Sequence, residues 1–558
     1  TDGTAGTLTI SGDLVMAAGS KLNADLMAPT AGSYDVLSVT GIATLTGGTL
    51  NLKGVGGAGL YPSFTATGGF GGTTFGTIVS GTFAQTPTYA LNSLTLSVTA
   101  NAIAGAIYWT GGAATGNWAD ALNWSNSLAP TSVTNLYIGL GAGTVSVSTG
   151  AQAANTLYSD ASLTLATGGA LTLTAASTIT GTLVMNGGTL TSQAGLTAAN
   201  YTHTSGTLNI GGTTLLQSSG SMVINGAIIS SVGGSLTLQA INNIVLGTGG
   251  SMNLNATTIN VGAGGLNLAT GSTFNTLNSS IVGIGANQVG TVNANAGSVV
   301  TFGAGTTTLN NVTFNNTSTI NQTGSVVLTN GAVFNNQLGA SYNLNSATAS
   351  YLYSNNSGIF NNAGTVTQVS AAPTYIYSGL YVGGVGVGTL TFNQASTGVL
   401  NGVGAQVNFA ANMTMTGNLI LQGLGLGISG NGSSTYTTLT PTLVTGALNM
   451  VGASLNLSGG NLTIAAGAGN SLTVAGGTLT TGVNRLIIDG TATLSGVLPV
   501  DATLGAIDVG GTGTLNLSST TINVGAGGLN LAVGSTFNPL NSSIVGIGAN
   551  QVGTVNAN

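Results

Sequence analysis

TTINVGAGGLNLATGSTFNTLNSSIVGIGANQVGTVNAN, residues 257–295, returns almost letter for letter at residues 520–558, displaced by 263 positions. Only Thr270, which becomes Val533, and Thr276, which becomes Pro539, differ between the two. A catalytic domain has no reason to copy 39 residues of itself. A chain built from stacked, interchangeable units does, because each unit only has to fit its neighbours. The first copy runs on into Ala296-Gly-Ser-Val-Val-Thr-Phe302, whereas the second breaks off at Asn558. The expectation is therefore a segment of a longer repetitive chain.

Composition agrees with stacking. The 558 residues include 93 Gly and no Cys, and only 2% are charged, against roughly 25% in an ordinary soluble domain. The basic residues are Lys21, Lys53 and Arg485; the acidic ones are nine Asp. So few charges leave the surface to be wetted by Thr, Ser, Asn and backbone, and favour self-association. Three cations cannot neutralise a phosphate track, which excludes nucleic acid as a partner. No run of about 18 apolar residues is present, so no membrane-spanning helix is expected. A membrane β-barrel would need richer aromatic girdles than 5% aromatic residues supply. Without Cys there is no disulfide framework and no thiolate metal site, as suits a chain that stays unfolded during export.

Short apolar runs alternate with Thr, Ser and Asn and are cut by Gly every few residues, the pattern of many short strands. Residues 1–104 form a first β-strand-repeat block, with Thr7-Leu-Thr-Ile10, Thr49-Leu-Asn-Leu52 and Ser93-Leu-Thr-Leu-Ser-Val98 as strands. Residues 105–132 hold Tyr108-Trp-Thr-Gly-Gly, Asn117-Trp118 and Asn123-Trp124, and so all three tryptophans of the chain. Rings this close predict a compact satellite core or a cap, with a sugar-stacking platform as the alternative. Residues 133–309 are monotonous, repeating phrases such as Ser162-Leu-Thr-Leu165 and Gly206-Thr-Leu-Asn-Ile210. Residues 310–404 are a variant in which Phe314-Asn-Asn, Phe334-Asn-Asn, Phe360-Asn-Asn and Phe392-Asn-Gln recur. This phrase predicts rings stacked inside and an Asn ladder at the turn. Residues 405–558 return to the monotonous style and end in the duplicated block.

The series Gly12-Asp-Leu14, Ala17-Ala-Gly-Ser20, Tyr34-Asp-Val-Leu-Ser-Val-Thr-Gly41, Ala43-Thr-Leu45, Gly47-Gly-Thr-Leu50 and Gly81-Thr-Phe83 resembles the β-strand-repeat passengers of bacterial autotransporters and filamentous-haemagglutinin-like exoproteins. The tryptophan and Phe-Asn-Asn phrases resemble modules of the same exoproteins. The resemblance implies an extracellular, cell-surface protein with a structural and adhesive role rather than an enzyme. Its partners would be copies of itself, in filaments or end-to-end stacks, and extracellular glycans or surfaces.

All-β architecture, as a parallel β-solenoid (a β-helix, right-handed) drawn out into an elongated rod, follows from these patterns. With two or three strands per coil and about 20 residues per coil, the chain would hold about 25–30 coils. At ~4.8 Å per coil the rod would be about 120–140 Å long.

Chemistry is sparse. His203 is the only histidine, so a zinc site or a Ser-His-Asp triad would hang on it alone; a wall residue is the better reading. Asp489, Asp501 and Asp508 fall in adjacent expected coils, where a glycosidase would keep a carboxyl pair, but Asp beside Gly suits turns. Gly383-Gly-Val-Gly386 and Gly423-Leu-Gly-Leu-Gly427 lack the following helix and Lys of a phosphate loop. No cofactor or metal is expected. Six of the fourteen tyrosines lie between 342 and 381. Tyr351 and Tyr353, and again Tyr375 and Tyr377, share one face of a strand. With Tyr381 these four are the candidate contacts for glycans or a neighbouring fibre; the alternative is an aromatic ladder packed inside. Rival readings are a β-helical polysaccharide-binding or polysaccharide-degrading protein and an ice-binding solenoid using Thr-x-Thr arrays such as Leu171-Thr-Leu-Thr174.

Overall fold

Alternation of apolar and polar residues becomes alternation of buried and exposed side chains along nearly every strand. The computed structural model describes residues 5–26, 31–53, 59–80, 85–98, 106–139, 142–262, 264–284, 290–370, 374–378, 380–382, 385–387, 389–395, 399–402, 407–410, 412–415, 419–429, 435–496, 500–547 and 553–558. Two compact units are present, Thr1–Asn242 and Asn243–Asn558.

The first unit begins with a short solenoid of its own. Thr7–Ile10, Val36–Val39 and Gly59–Ala66 pair in parallel on one face. Leu14–Val15 and Ala43–Thr44 form a second face, and Lys21–Asp25, Thr49–Lys53 and Thr77–Ser80 a third. Inside lie Leu37, Val39, Leu50, Leu52, Tyr61 and Phe64. Ser93–Val98 then turns back and pairs antiparallel with Gly59–Ala66, and Gln85–Tyr89 pairs with it in turn. This reversal stops parallel growth on that face, because the sheet edge is now occupied. The three tryptophans pack on one another as the next parallel stack starts, with Trp118 and Trp124 edge to face at 5.0 Å and Trp109 and Trp124 at 5.1 Å. Trp118 N–H donates to Ser146 O, tying this cluster to the strand Thr144–Val147. From Asn135–Ile138 onward the strands stack in parallel, Asn135–Ile138 on Thr156–Ser159, Thr144–Val147 on Ser162–Ala166, and Gly150–Ala154 on Gly169–Leu173.

The second unit keeps the same rule of three strands per turn. Ile244–Leu246 pairs with Leu266–Leu268, Ser251–Asn255 with Thr273–Leu277, and Thr258–Val261 with Ser280–Gly283. Apolar residues turn in, as Met252, Leu254 and Phe274 do, and most Thr, Ser and Asn turn out, with exceptions such as the buried Thr276. Burying each such Leu or Phe stabilises the stack by roughly 1.5–3 kcal/mol. Corners use left-handed backbone. Asn278 and Asn541, equivalent residues of the two copies, both have φ 48°, and Gly265 and Gly528 have φ 67° and 71°.

The chain is a β-solenoid of about 16 turns, fewer than the 25–30 expected from the sequence. A turn is longer and less regular than 20 residues. Ladder bonds between adjacent turns join residues as few as 18 and as many as 32 apart. Part of that length is spent outside the coil, as in the antiparallel hairpin of Leu380–Val382 and Val385–Val387.

The duplicated block occupies different faces in its two occurrences. The column of strands starting at Thr258–Val261 can be followed upward through eleven parallel pairings to Thr514–Ser518. The second TINV strand is the next one along the chain, Thr521–Val524, which belongs to the neighbouring column. The 263-residue displacement is thus eleven turns and one further strand. The block does not need a particular face to fold.

Candidate functional site

The most organised region is the Phe-Asn-Asn column. Val312–Asn316, Ala332–Asn336, Ser357–Asn362 and Thr389–Gln394 stack in register, so each Phe lies over the last. Phe314 and Phe334 stack at 5.2 Å, Phe334 and Phe360 at 4.9 Å, and Phe360 and Phe392 at 5.1 Å, with all rings nearly parallel. The first Asn of each phrase points outward and forms a surface ladder. Asn293, Asn315, Asn335, Asn361 and Asn393 each donate an amide N–H to the Oδ1 of the preceding rung, starting from Asn267, at 2.6–2.9 Å.

The second Asn turns inward and builds a buried ladder. Asn316 donates to Asn336, Asn336 to Asn362 and Asn362 to Gln394, at 2.8–3.0 Å. Donors here point up the stack, opposite to the surface ladder. Backbone groups fix that sense: Ser318 N–H donates to Asn316 Oδ1, while Asn316 Nδ2 also donates to Ser341 O. A buried amide without partners costs about 1–3 kcal/mol, so each rung depends on its neighbours. The expected ring stack is present; the Asn ladder is doubled and lies within the strands, where extended backbone puts alternate residues on opposite faces, and not at the turn as expected.

Tyrosine divides between core and surface. Tyr342 points inward, packs edge to face on Phe334 and Phe360, and donates its hydroxyl to Gln322 Oε1 at 2.7 Å. Tyr351 and Tyr353 flank the inward Leu352 and face outward. Tyr351 is 37% exposed. Tyr353 is half-buried, and burial raises its hydroxyl pKa. Tyr375 and Tyr377 occupy the register places directly above Tyr351 and Tyr353, on either side of the buried Ile376. Tyr381 pairs with Gly386 across the hairpin that leaves the coil. The side chains of Tyr375, Tyr377 and Tyr381 lie outside the described residues. Below Tyr353, Val327 is 2% exposed even though alternation turns it outward between Val326 and Leu328. The outer surface is thus closed over at one corner of the tyrosine group and open at Tyr351.

The remaining candidates have structural roles. Trp109, Trp118 and Trp124 are buried, so they offer no open stacking platform. His203 is 1% exposed; its Nε2 faces Gly206 O at 3.2 Å and its Nδ1 faces the Tyr201 hydroxyl at 2.7 Å. A carbonyl only accepts, so Nε2 carries the proton and Nδ1 accepts from Tyr201. Burial lowers the His203 pKa to about 4, against which the bond to Gly206 acts weakly. Asp501 accepts from the amide and hydroxyl of Thr503, closing a turn. Asp508 holds Arg485 through both carboxylate oxygens and accepts from Asn530. Asp489 accepts at its backbone carbonyl from Thr512. Among the described residues no group of three or more His, Cys, Asp or Glu could hold a metal, and no helix is long and apolar enough to cross a membrane. Gly383 and Gly384 lie outside the described residues, while Gly423–Gly427 falls inside the strand Leu419–Ser429. Outward positions do not repeat Thr: Thr258, Ser280, Thr308, Val327 and Tyr353 follow one another up one column.

No protein-family model matches the chain, and no curated protein matches it significantly.

Proposed function

We propose that this chain is a structural and adhesive segment of an extracellular bacterial surface fibre, of the kind built by β-strand-repeat autotransporter passengers and filamentous-haemagglutinin-like exoproteins. It would work by mass contact. Parallel coils and stacked apolar residues hold the shaft, while a skin of Thr, Ser and Asn meets other fibres, surfaces and extracellular glycans without charge. The observation that carries this reading is the 39-residue block folded twice, on two different faces. A unit indifferent to its place around the axis is suited to stacking, whereas a binding or catalytic site is tied to one geometry.

The outward tyrosines around Tyr351 are the contact such a fibre would offer to a pyranose face or to a neighbouring shaft. The test is electron microscopy of the native assembly. Filaments are expected; dispersed monomers at high concentration would count decisively against the proposal. Turnover of any member of a glycan panel would replace it with the polysaccharide-degrading reading.

A further inference from the structure

From residue 161 to residue 484 the chain carries no Asp, Glu, Lys or Arg. His203, within that stretch, is buried and neutral at pH 7. Charge on exposed sheet is what ordinarily keeps one β-protein from pairing with another. The outer surface of these coils has no such protection.

One face of it is built to repeat. The surface ladder from Asn267 to Asn393 occupies a single outward row, and its strands pair without a shift of register. A side-chain amide has two N–H donors and two lone pairs on its oxygen. Asn293, Asn315, Asn335 and Asn361 each spend one donor and one lone pair on the ladder, so one of each is left to face outward. Two residues earlier on the same face Val333 and Ile359 lie in register, and Ile359 is 37% exposed. The amide row is thus flanked by a row that is apolar at its centre. Above Asn393 the amide row runs on in register through Thr414, Thr437, Asn456 and Thr480. It meets its first charge at Asp501.

The period decides what fits. Outward amides recur once per coil, at ~4.8 Å. A partner that meets every rung must present donors and acceptors at that spacing and carry no charge. The same row on another copy does both. Sheets bearing amide ladders pack on one another in this way, with side chains interdigitated and water excluded, at ~10 Å between sheets. From Asn267 to Thr480 the row is about 45 Å tall, and a five-residue strand is about 16 Å wide. That gives roughly 700 Å² per copy, close to the ~800 Å² per partner of a stable complex.

We infer that this amide face is where two copies of the chain lie side by side, ladder against ladder. The contact is isologous, with the same row on each copy. The outward amides set the matching, and Val333 with Ile359 forms the dry centre. This rests on the self-associating fibre reading and assigns its lateral contact to one face.

The test uses the full chain. Val333→Lys/Ile359→Lys places two charges on the face and keeps every asparagine of the ladder. Leu338→Lys/Val369→Lys places the same charges elsewhere, at positions 71% and 46% exposed. In sedimentation over a concentration series, wild type and the Leu338/Val369 variant should pair alike, and the face variant at least about tenfold more weakly. Because the chain has no cysteine, Ile359→Cys provides a single thiol. Its alkylation should slow as the protein concentration rises, while that of Leu338→Cys should not; this reading stands even where the lysine variant fails to fold. A monomeric wild type, equal weakening by the two lysine pairs, or an Ile359→Cys thiol equally reactive at all concentrations would overturn the inference. Pairing seen only after a soluble glycan is added would give the face to the glycan and overturn it too. Micrographs keep the two readings apart. Wild-type filaments that lie singly leave the fibre and remove the pairing; paired particles without filaments do the reverse.

Discussion

Residues 257–295 and 520–558 are nearly the same sequence in two settings. In the first, Ile281 and Phe274 have a coil on either side and no exposure; in the second, Ile544 is 36% exposed and Phe537 half-buried. Corner conformations at Asn278 and Asn541 do not change. Local backbone thus follows the sequence of the block, while burial follows the neighbour. In a stacked fold each coil supplies half of the next coil's core.

The sharpest way to break this comparison is to place the same charge in both copies. Ile281→Asp should cost more than about 4 kcal/mol, since a carboxylate would be buried without a partner. In the 558-residue chain Ile544→Asp, at a position 36% exposed, should cost less than about 1 kcal/mol. Urea denaturation of the two variants measures the difference, and equal losses would mean that the second edge is covered in solution.

Acid probes coverage at another place. The coil carrying Gly226 lies against His203, leaving no room for a Cβ beside Nε2. His203 has a folded pKa of about 4, below its ordinary 6.5. The unfolded chain therefore binds the proton first. The stabilisation is full above pH 6.5 and is lost as pH falls to about 4, by roughly 3 kcal/mol. A His203→Phe variant should lose that slope in a melting series from pH 7 to pH 4.

Two further pairs are graded more finely. Asn336→Leu breaks the buried ladder, taking one of two acceptors from the Asn316 amide and the Asn336 donor from Asn362 Oδ1, at a cost of about 2 kcal/mol, whereas Asn335→Leu on the surface ladder should cost under about 1 kcal/mol. Smallest of all, Thr270→Val should cost about 1 kcal/mol by losing the bond to Ala296, and Val533→Thr should lie within about 0.5 kcal/mol of wild type. Thermal melts compare both pairs.

Strands were legible wherever a run kept period two, as in Ser162–Ala166 or Ser93–Val98. The ring stack was legible because Phe recurs in one phrase. That the second Asn of the phrase faces inward also follows from strict alternation after Phe, but a polar residue at an inward place is read as a turn until the coil above supplies its partner. The turn count was not legible. Strands such as Ser177–Ser192 and Gly195–Ser218 run through corners as single strands with only shifts of register, so sequence punctuation does not count faces. Alternation also divides the tyrosines: Tyr342 is in phase with Leu344 and turns inward, whereas Tyr351 and Tyr353 flank Leu352 and turn outward.

The extra strand in the displacement between the copies acts like a screw with a third of a turn left over. Anything that grips the block at its first occurrence finds, eleven turns later on the same side, Thr514–Ser518 instead. The second grip lies around the corner. Two equal handles at different compass bearings cannot be held by one flat surface, so contacts made through them wind around the shaft and resist twisting as well as pulling.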